Sequence, residues 1–280
     1  MAGNVGLSPR SWQAYDAAVT GFDAQPWLAL LTLFLVGAIS AAINVVAGGG
    51  SFLALPAMIL LGLPPTVANG TNRVAILAQN VAAVWGFQRH RLIRWEGLAW
   101  AALPAIAGAA VGTWVAIQIG DVAFRRALAV IMIAVALWSL WYPPEPSRSG
   151  AAPQQGTRPD RGRLEGPGLF LAFLACGIYG GFVQAGVGFL LLAATTQAGL
   201  DLVRGNALKV LIVLLFTPLS LALFAAGDKV AWGMGAALAA GSVLGALAGV
   251  RLTVLKGHAW VRRFVTVTVI AFAVLMWFGP

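Results

Sequence analysis

The chain has 280 residues, of which 60% are hydrophobic and only 10% charged, with a mean hydropathy of +0.85 and a net charge of +9. Soluble domains hold roughly 45–50% apolar and about 25% charged residues, so a soluble enzyme, a nucleic-acid-binding domain and a disordered chain are excluded. The basic excess would suggest nucleic acid in a soluble protein. Here it is assigned to arginine-rich cytoplasmic loops, with the lipid bilayer as the chain's partner.

Residues 1–26 form a polar lead-in, with a short surface helix expected around Trp12–Val19. Arg10 is the one basic residue before the apolar run near Pro26, which does not match a signal-peptide pattern. A first repeat is predicted over 27–142, with apolar segments at 27–46, 52–63, 66–88, 97–119 and 124–142. A second is predicted over 169–280, with segments at 169–185, 188–200, 206–226, 232–254 and 261–278. Most are long enough for the roughly 20 residues that a spanning helix needs; 52–63 and 188–200 are short for a full crossing. Between the repeats, 143–168 holds six prolines and four arginines. This composition cannot fold in lipid and reads as a flexible, solvent-exposed linker.

The halves match each other at a fixed offset of 137 residues. Phe52 aligns with Phe189, Asn69 with Asn206, Trp95 with Trp232, Gly108 with Gly245, Gly112 with Gly249 and Arg125-Arg126 with Arg262-Arg263. Matching alanines or leucines would be composition, but asparagine, tryptophan and an arginine pair at one offset indicate an internal duplication. Five crossings per half would invert the second repeat relative to the first. With the Arg89–Arg94 loop inside, eleven basic residues fall on the cytoplasmic side: Arg89, Arg91, Arg94, Arg148, Arg158, Arg161, Arg163, Arg204, Lys256, Arg262 and Arg263. Only Arg10, Arg125, Arg126 and Lys229 fall outside. The positive-inside rule therefore places the linker in the cytoplasm and both termini outside, and inverted repeats are the mark of many secondary transporters. A count of four plus four, with the short segments re-entrant, would alter this orientation. Trp27, Trp85, Trp95, Trp138, Trp141, Trp232, Trp260 and Trp277 sit near segment ends, as interfacial anchors. The glycine pairs 108/112 and 245/249 are small-xxx-small packing motifs.

Two constellations could carry function. In the first, Asn44 precedes Gly48-Gly49-Gly50-Ser51, which interrupts a long apolar run; the matching place in the second half is Gln184, followed by Gly186 and Gly188. Irregular backbone at membrane depth is tolerated only where protein or a cavity surrounds it, and paired helix breaks point to a transport site. The alternative is a tight hairpin at the membrane surface. Helix N-termini at such breaks would offer N–H groups to an anion. The second constellation is Asn69-Gly70-Thr71-Asn72-Arg73, with its counterpart Asn206 and Lys209. A charge inside the membrane reads as functional, against the alternative of snorkelling to the interface.

The absences narrow the cargo. None of the nine acidic residues falls inside a segment, whereas cation carriers usually need a buried carboxylate. Two embedded cations without one point to a small anion. Cys176 is alone, His90 and His258 lie in loops, and neither a P-loop nor a Ser-His-Asp set can be placed. No metal, cofactor or catalytic residue is therefore expected.

Gly48-Gly49-Gly50-Ser51-Phe52 with Pro56, then Gly62-Leu63-Pro64 and Ala68-Asn69-Gly70-Thr71-Asn72-Arg73, resembles the TauE/SafE sulfite exporter family. The duplicated layout covers about 27–278. The resemblance implies a bacterial inner-membrane permease for sulfite, sulfonates or related sulfur-containing anions. Carried over by motif, it implies site residues Asn44, Gly48, Gly49, Gly50, Asn69, Thr71, Asn72 and Arg73. The second repeat departs from the motif, with Gly186-Val187-Gly188 and no Thr-Asn pair, so Gln184, Asn206 and Lys209 rest on the repeat alone. The expected protein is all-α and polytopic, with two inverted repeats of about five segments around an anion site. Its function would be secondary transport, in the direction of export, by alternating access around that central site. The rivals are an anion channel or a permease for other small organic acids, and a membrane-embedded enzyme.

Overall fold

The computed structural model describes residues 26–141 and 164–256. The lead-in with its expected helix at Trp12–Val19, the linker up to 163 and the expected segment 261–278 lie outside them. Among the described residues there are nine helices and no strand. They are α1 (Pro26–Ala47), α2 (Ser51–Leu60), α3 (Pro65–Arg89), α4 (Leu98–Gln118), α5 (Asp121–Trp141), α6 (Pro167–Phe182), α7 (Val187–Gln197), α8 (Leu202–Ala226) and α9 (Trp232–Lys256).

Local chemistry sets the ends. Pro65 and Pro167 open α3 and α6, where a missing N–H costs nothing. Asp201 caps α8 by accepting from the backbone N–H groups of Val203 and Arg204 at 2.9 and 3.0 Å, so α8 begins at Leu202 rather than at 206. The N-terminus of α3 is held from outside: Asp121 at the start of α5 accepts from Thr66 N and Thr66 Oγ1 at 3.0 and 2.7 Å. The α8–α9 loop closes the same end. Partial burial there lowers the Lys229 ammonium from its ordinary value, against the Asp121 carboxylate, which raises it.

Four helices, α1, α4, α8 and α9, are long and apolar enough to cross a membrane, and the chain is a multi-pass membrane protein. At 1.5 Å per residue, the 10 residues of α2 and the 11 of α7 cover only about 15–17 Å. Neither crosses a hydrocarbon core of roughly 30 Å by itself. The 25-residue α3 is long but polar, and it is enclosed: Thr66, Asn69, Thr71, Asn72, Arg73, Gln79 and Asn80 are all buried. Polar atoms that would be costly against lipid face protein instead.

The first helix of each half packs on the fourth helix of the other. In α1 against α9, a Cβ added at Gly241 would lie 1.8 Å from Phe34 O, and one at Gly245 would lie 1.9 Å from Ala38 O. In α6 against α4, the same test gives 2.2 Å between Gly108 and Leu174 O and 1.9 Å between Gly112 and Ile178 O. The contacts advance together along both chains, so each pair runs parallel with backbones nearly touching, as small residues permit. The third helices meet at the centre and run antiparallel. Gly70 of α3 lies against Phe224 of α8, while Ala83 and Phe87 share a cluster with Ala207 and Val210.

Candidate functional site

The two chain breaks meet. A Cβ at Gly48 would fall 2.5 Å from the carbonyl carbon of Gly188, and one at Gly188 would fall 2.4 Å from Gly48 Cα. Gly48 takes a left-handed φ of +92°, and Gln184 and Gly186 take +57° and +74°. For Gln184 such a backbone is strained, at about 1–3 kcal/mol, and survives only where the surroundings hold it. They do: Gln184 Oε1 accepts from Arg73 Nη1 at 2.7 Å, and its Nε2 donates to Thr217 Oγ1 at 3.1 Å. A Cβ at Gly186 would strike the Phe52 ring, at 2.6 Å, so the second break is roofed by α2. Gly50 is pressed against Ser40 and Asn44 of α1, and Ser40 Oγ donates to Gly50 O at 2.7 Å.

Each break is gripped by the third helix of the opposite half. Asn69 Nδ2 donates to Phe182 O at 2.8 Å, and Asn206 Nδ2 to Val45 O at 2.6 Å. Arg73 Nη1 donates to Gly180 O and Nη2 to Gly181 O, both at 2.7 Å. Lys209 Nζ donates to Asn44 O at 2.9 Å and to Val45 O at 3.2 Å. Both cations thus seat on the carbonyl ends of α6 and α1, where helix dipoles favour positive charge. Arg73 also lies under Phe224, its Cζ 5.2 Å from the ring centroid. It is the ninth residue of α3 and Lys209 the eighth of α8. Both are buried, so Lys209 does not snorkel to the interface.

The structure therefore brings together Asn44, Gly48, Gly50, Asn69, Arg73, Gln184, Gly186, Gly188, Asn206 and Lys209. Ser51 and Asn72 join at the start of α2, where Asn72 Nδ2 donates to Ser51 Oγ at 3.2 Å. Gly49 lies in the break and accepts Phe52 N–H. Thr71 stands apart: its Oγ1 accepts from Ala231 N at 2.9 Å, which ties α3 to the α8–α9 loop. Sequence reasoning passed over Gln79 and Asn80, two adjacent buried amides, of which Gln79 Nε2 meets no partner. An amide pair in the middle of a membrane-length segment was the available signal. It also passed over Thr113, Thr217 and Ser220, which extend the buried polar chain: Thr113 Oγ1 meets Gly181 O at 3.1 Å and Ser220 Oγ at 2.8 Å.

Electrostatically the centre is positive. The Arg73 guanidinium, joined by Lys209 when its amine is protonated, meets two helix C-termini, worth about −0.5 each, and the N-termini of α2 and α7, worth about +0.5 each. No side chain caps either N-terminus. Among the described residues no carboxylate is buried. The dipole ends cancel and the basic side chains remain, a balance that favours an anion.

The family described as Sulfite exporter TauE/SafE matches residues 33–276, and the chain belongs to it. A "Probable membrane transporter protein" of Haemophilus influenzae is 29% identical over 242 residues, covering 85% of this chain and 90% of the relative. "Probable membrane transporter protein YfcA" of Escherichia coli is 27% identical over 246 residues, 86% of each. "Probable membrane transporter protein ORF9" of a Sinorhizobium species is 26% identical over 254 residues, 90% of this chain and 93% of the relative. No solved structure matches.

Proposed function

From its membership of the TauE/SafE family, we propose that this chain is a secondary transporter of small sulfur-containing anions such as sulfite or organosulfonates. It has no catalytic role and lies in a bacterial inner membrane with the 143–168 linker in the cytoplasm. The observation that carries the reading is the pair of buried cations, Arg73 and Lys209, at the meeting of two helix breaks with no buried carboxylate among the described residues. Arg73's two terminal nitrogens are taken by helix carbonyls and Gln184. It therefore sets the field and holds the second break, while its unpartnered Nε faces the same interior. Lys209 uses two of an ammonium's three donors. The third donor, the Asn44 amide and the uncapped N-termini of α2 and α7 are left for the anion.

The two halves form inverted repeats in this reading. The antiparallel α3 and α8 and the reciprocal packing of first on fourth helices support it. Rocking one half against the other would part the Gly48–Gly188 contact on alternate sides, which is alternating access. The same contact speaks against an open anion channel, because backbone atoms fill the centre. The test is flux into proteoliposomes bearing the purified protein, with a panel of sulfite, methanesulfonate, sulfoacetate, taurine, sulfate and acetate. Saturable movement of a sulfur oxyanion is expected. Movement of acetate alone would reassign the cargo, and conductance that does not saturate would make the protein a channel.

A further inference from the structure

The two central cations are not equivalent, and the difference has a use. Arg73 stays protonated in any protein environment, whereas a lysine ammonium readily gives up its proton when buried. Lys209 is buried and its acceptors are two uncharged carbonyls, Asn44 O and Val45 O. Among the described residues, the elements packed most against α8 are α3, α4, α6, α7 and α1; α9 joins through Ala246 and Val250, in the cluster that holds Ala207 and Val210, and its Arg251 is exposed. Across them, Arg73 is the charge that shares Lys209's interior. Arg89 of α3 is exposed and stacked on Trp85, with Cζ 3.8 Å from the ring centroid. Arg204 of α8 is exposed beside Asp201. The helices α1, α4, α6 and α7 carry no charged residue, and the titratable groups of α6, Cys176 and Tyr179, are neutral when protonated.

We propose that Lys209 is the proton-binding residue of the transport cycle and that each anion crosses together with one proton. This rests on the anion-transport reading above. In the empty site the ammonium has a like charge in its interior and no counter-ion, so it releases its proton to water on the side to which the site is open. An arriving anion supplies the missing counter-charge, and Lys209 takes a proton from that same side. After the halves rock, anion and proton leave together. The charges balance: the empty site holds Arg73 alone, and the loaded site holds Arg73, protonated Lys209 and a monoanion, so both carry +1. Anion and proton binding must then favour each other equally. With one linked proton, anion affinity falls by about tenfold per pH unit once Lys209 is deprotonated in the empty site.

The experiment uses the same proteoliposomes with a pH-sensitive dye in the lumen. The probes are methanesulfonate, which does not titrate near neutrality, and whichever other panel anion moves. Wild type should move about one proton per anion in the same direction. Lys209→Arg keeps the charge and can reach the same carbonyls but cannot release a proton; Lys209→Gln carries none. In each variant that elutes as a folded protein, the proton-to-anion ratio should drop to near zero and the pH dependence of binding should flatten. Anion flux without lumenal pH change in wild type overturns the proposal, as does an unchanged ratio in either variant. As a measurement free of substitution, calorimetric anion binding by wild type, repeated in buffers of different ionisation enthalpy across the pH range in which the protein stays folded, should show proton uptake, and its absence throughout is equally fatal. If no anion of the panel moves, it is the transport reading that fails.

Discussion

Arg73 reads in the sequence as a cargo ligand, because an intramembrane guanidinium is costly and its fork suits an oxyanion. The fold spends that fork on Gly180 O, Gly181 O and Gln184 Oε1. No pattern in a sequence tells which carbonyls will face a side chain across 107 to 111 positions, so this part was not legible. Hydrogen bonds to charged groups contribute about 1.5–3 kcal/mol each, and leaving their acceptors bare costs more. Arg73→Ala should therefore destabilise the protein by at least about 2 kcal/mol, and Arg73→Lys, which cannot span the three acceptors, by roughly half of that. Thermal melts of the purified protein in detergent read this directly; equal melting of wild type and Arg73→Ala would remove the clamp from the account. The asparagine pair was legible, since Asn69 and Asn206 fall at the 137-residue offset. They do the same work in the structure, one on Phe182 O and one on Val45 O. Asn69→Ala and Asn206→Ala should cost matching amounts, about 0.6–1.7 kcal/mol each by the yardstick for interhelical bonds in membranes. A large difference between them would show that the two grips are not equivalent.

At the scale of elements, apolar runs bounded by Pro, Gly and charged residues located the nine helices of the described residues to within a few positions. The exception is the start of α8, where Arg204 and Asp201 read as loop. Asp201 is in fact the cap, a signal present in the sequence but outweighed by the charge beside it. The breaks were legible as glycine runs, but their contact was not, because it joins residues 140 apart. It makes a sharp prediction. A Cβ at Gly48 or Gly188 would sit 2.4–2.5 Å from the other break's backbone, and Gly48 also has a positive φ. Neither backbone can yield as a flexible side chain would. Gly48→Ala and Gly188→Ala should each lose folded yield or transport severely, since overpacking of this kind typically costs 1–3 kcal/mol or more. Gly120, Gly168 and Gly233 have nothing within 4 Å of an added Cβ, so alanine there should leave both yield and flux near wild type. Size-exclusion profiles and flux per folded molecule separate the two groups; indistinguishable behaviour would mean that the breaks move apart freely.

At the scale of the whole molecule, the charge pattern proposes an orientation, and the packing shows which loops share an end. Basic residues weight one side of the predicted segments, and the helix directions alternate accordingly. The α3 start, the α5 start and the α8–α9 loop lie at one end, joined by Thr66 with Asp121 and by Gly70 with Lys229. The Arg89–Arg94 loop therefore lies at the other end, as does the chain that leaves α5 toward the linker. The brevity of α2 does not disturb this. Ser51 at its start meets Asn72, well inside α3, while its end leads to α3's start. It therefore returns the chain to the end from which α3 sets out, whether it spans or not. The linker at 143–168 should thus be cytoplasmic and the α4–α5 turn periplasmic. Cys176 is the one native cysteine and is buried, so a Cys176→Ala background removes it cheaply. On that background Gly120→Cys, at an exposed turn, should react with a membrane-impermeant thiol reagent in intact cells, and Ser149→Cys only after the membrane is opened. The reversed pattern would turn the molecule over, and the arginine-rich face would then lie outside, against the positive-inside rule. Reaction of both from outside would break the alternation of directions on which the paired, oppositely facing breaks depend.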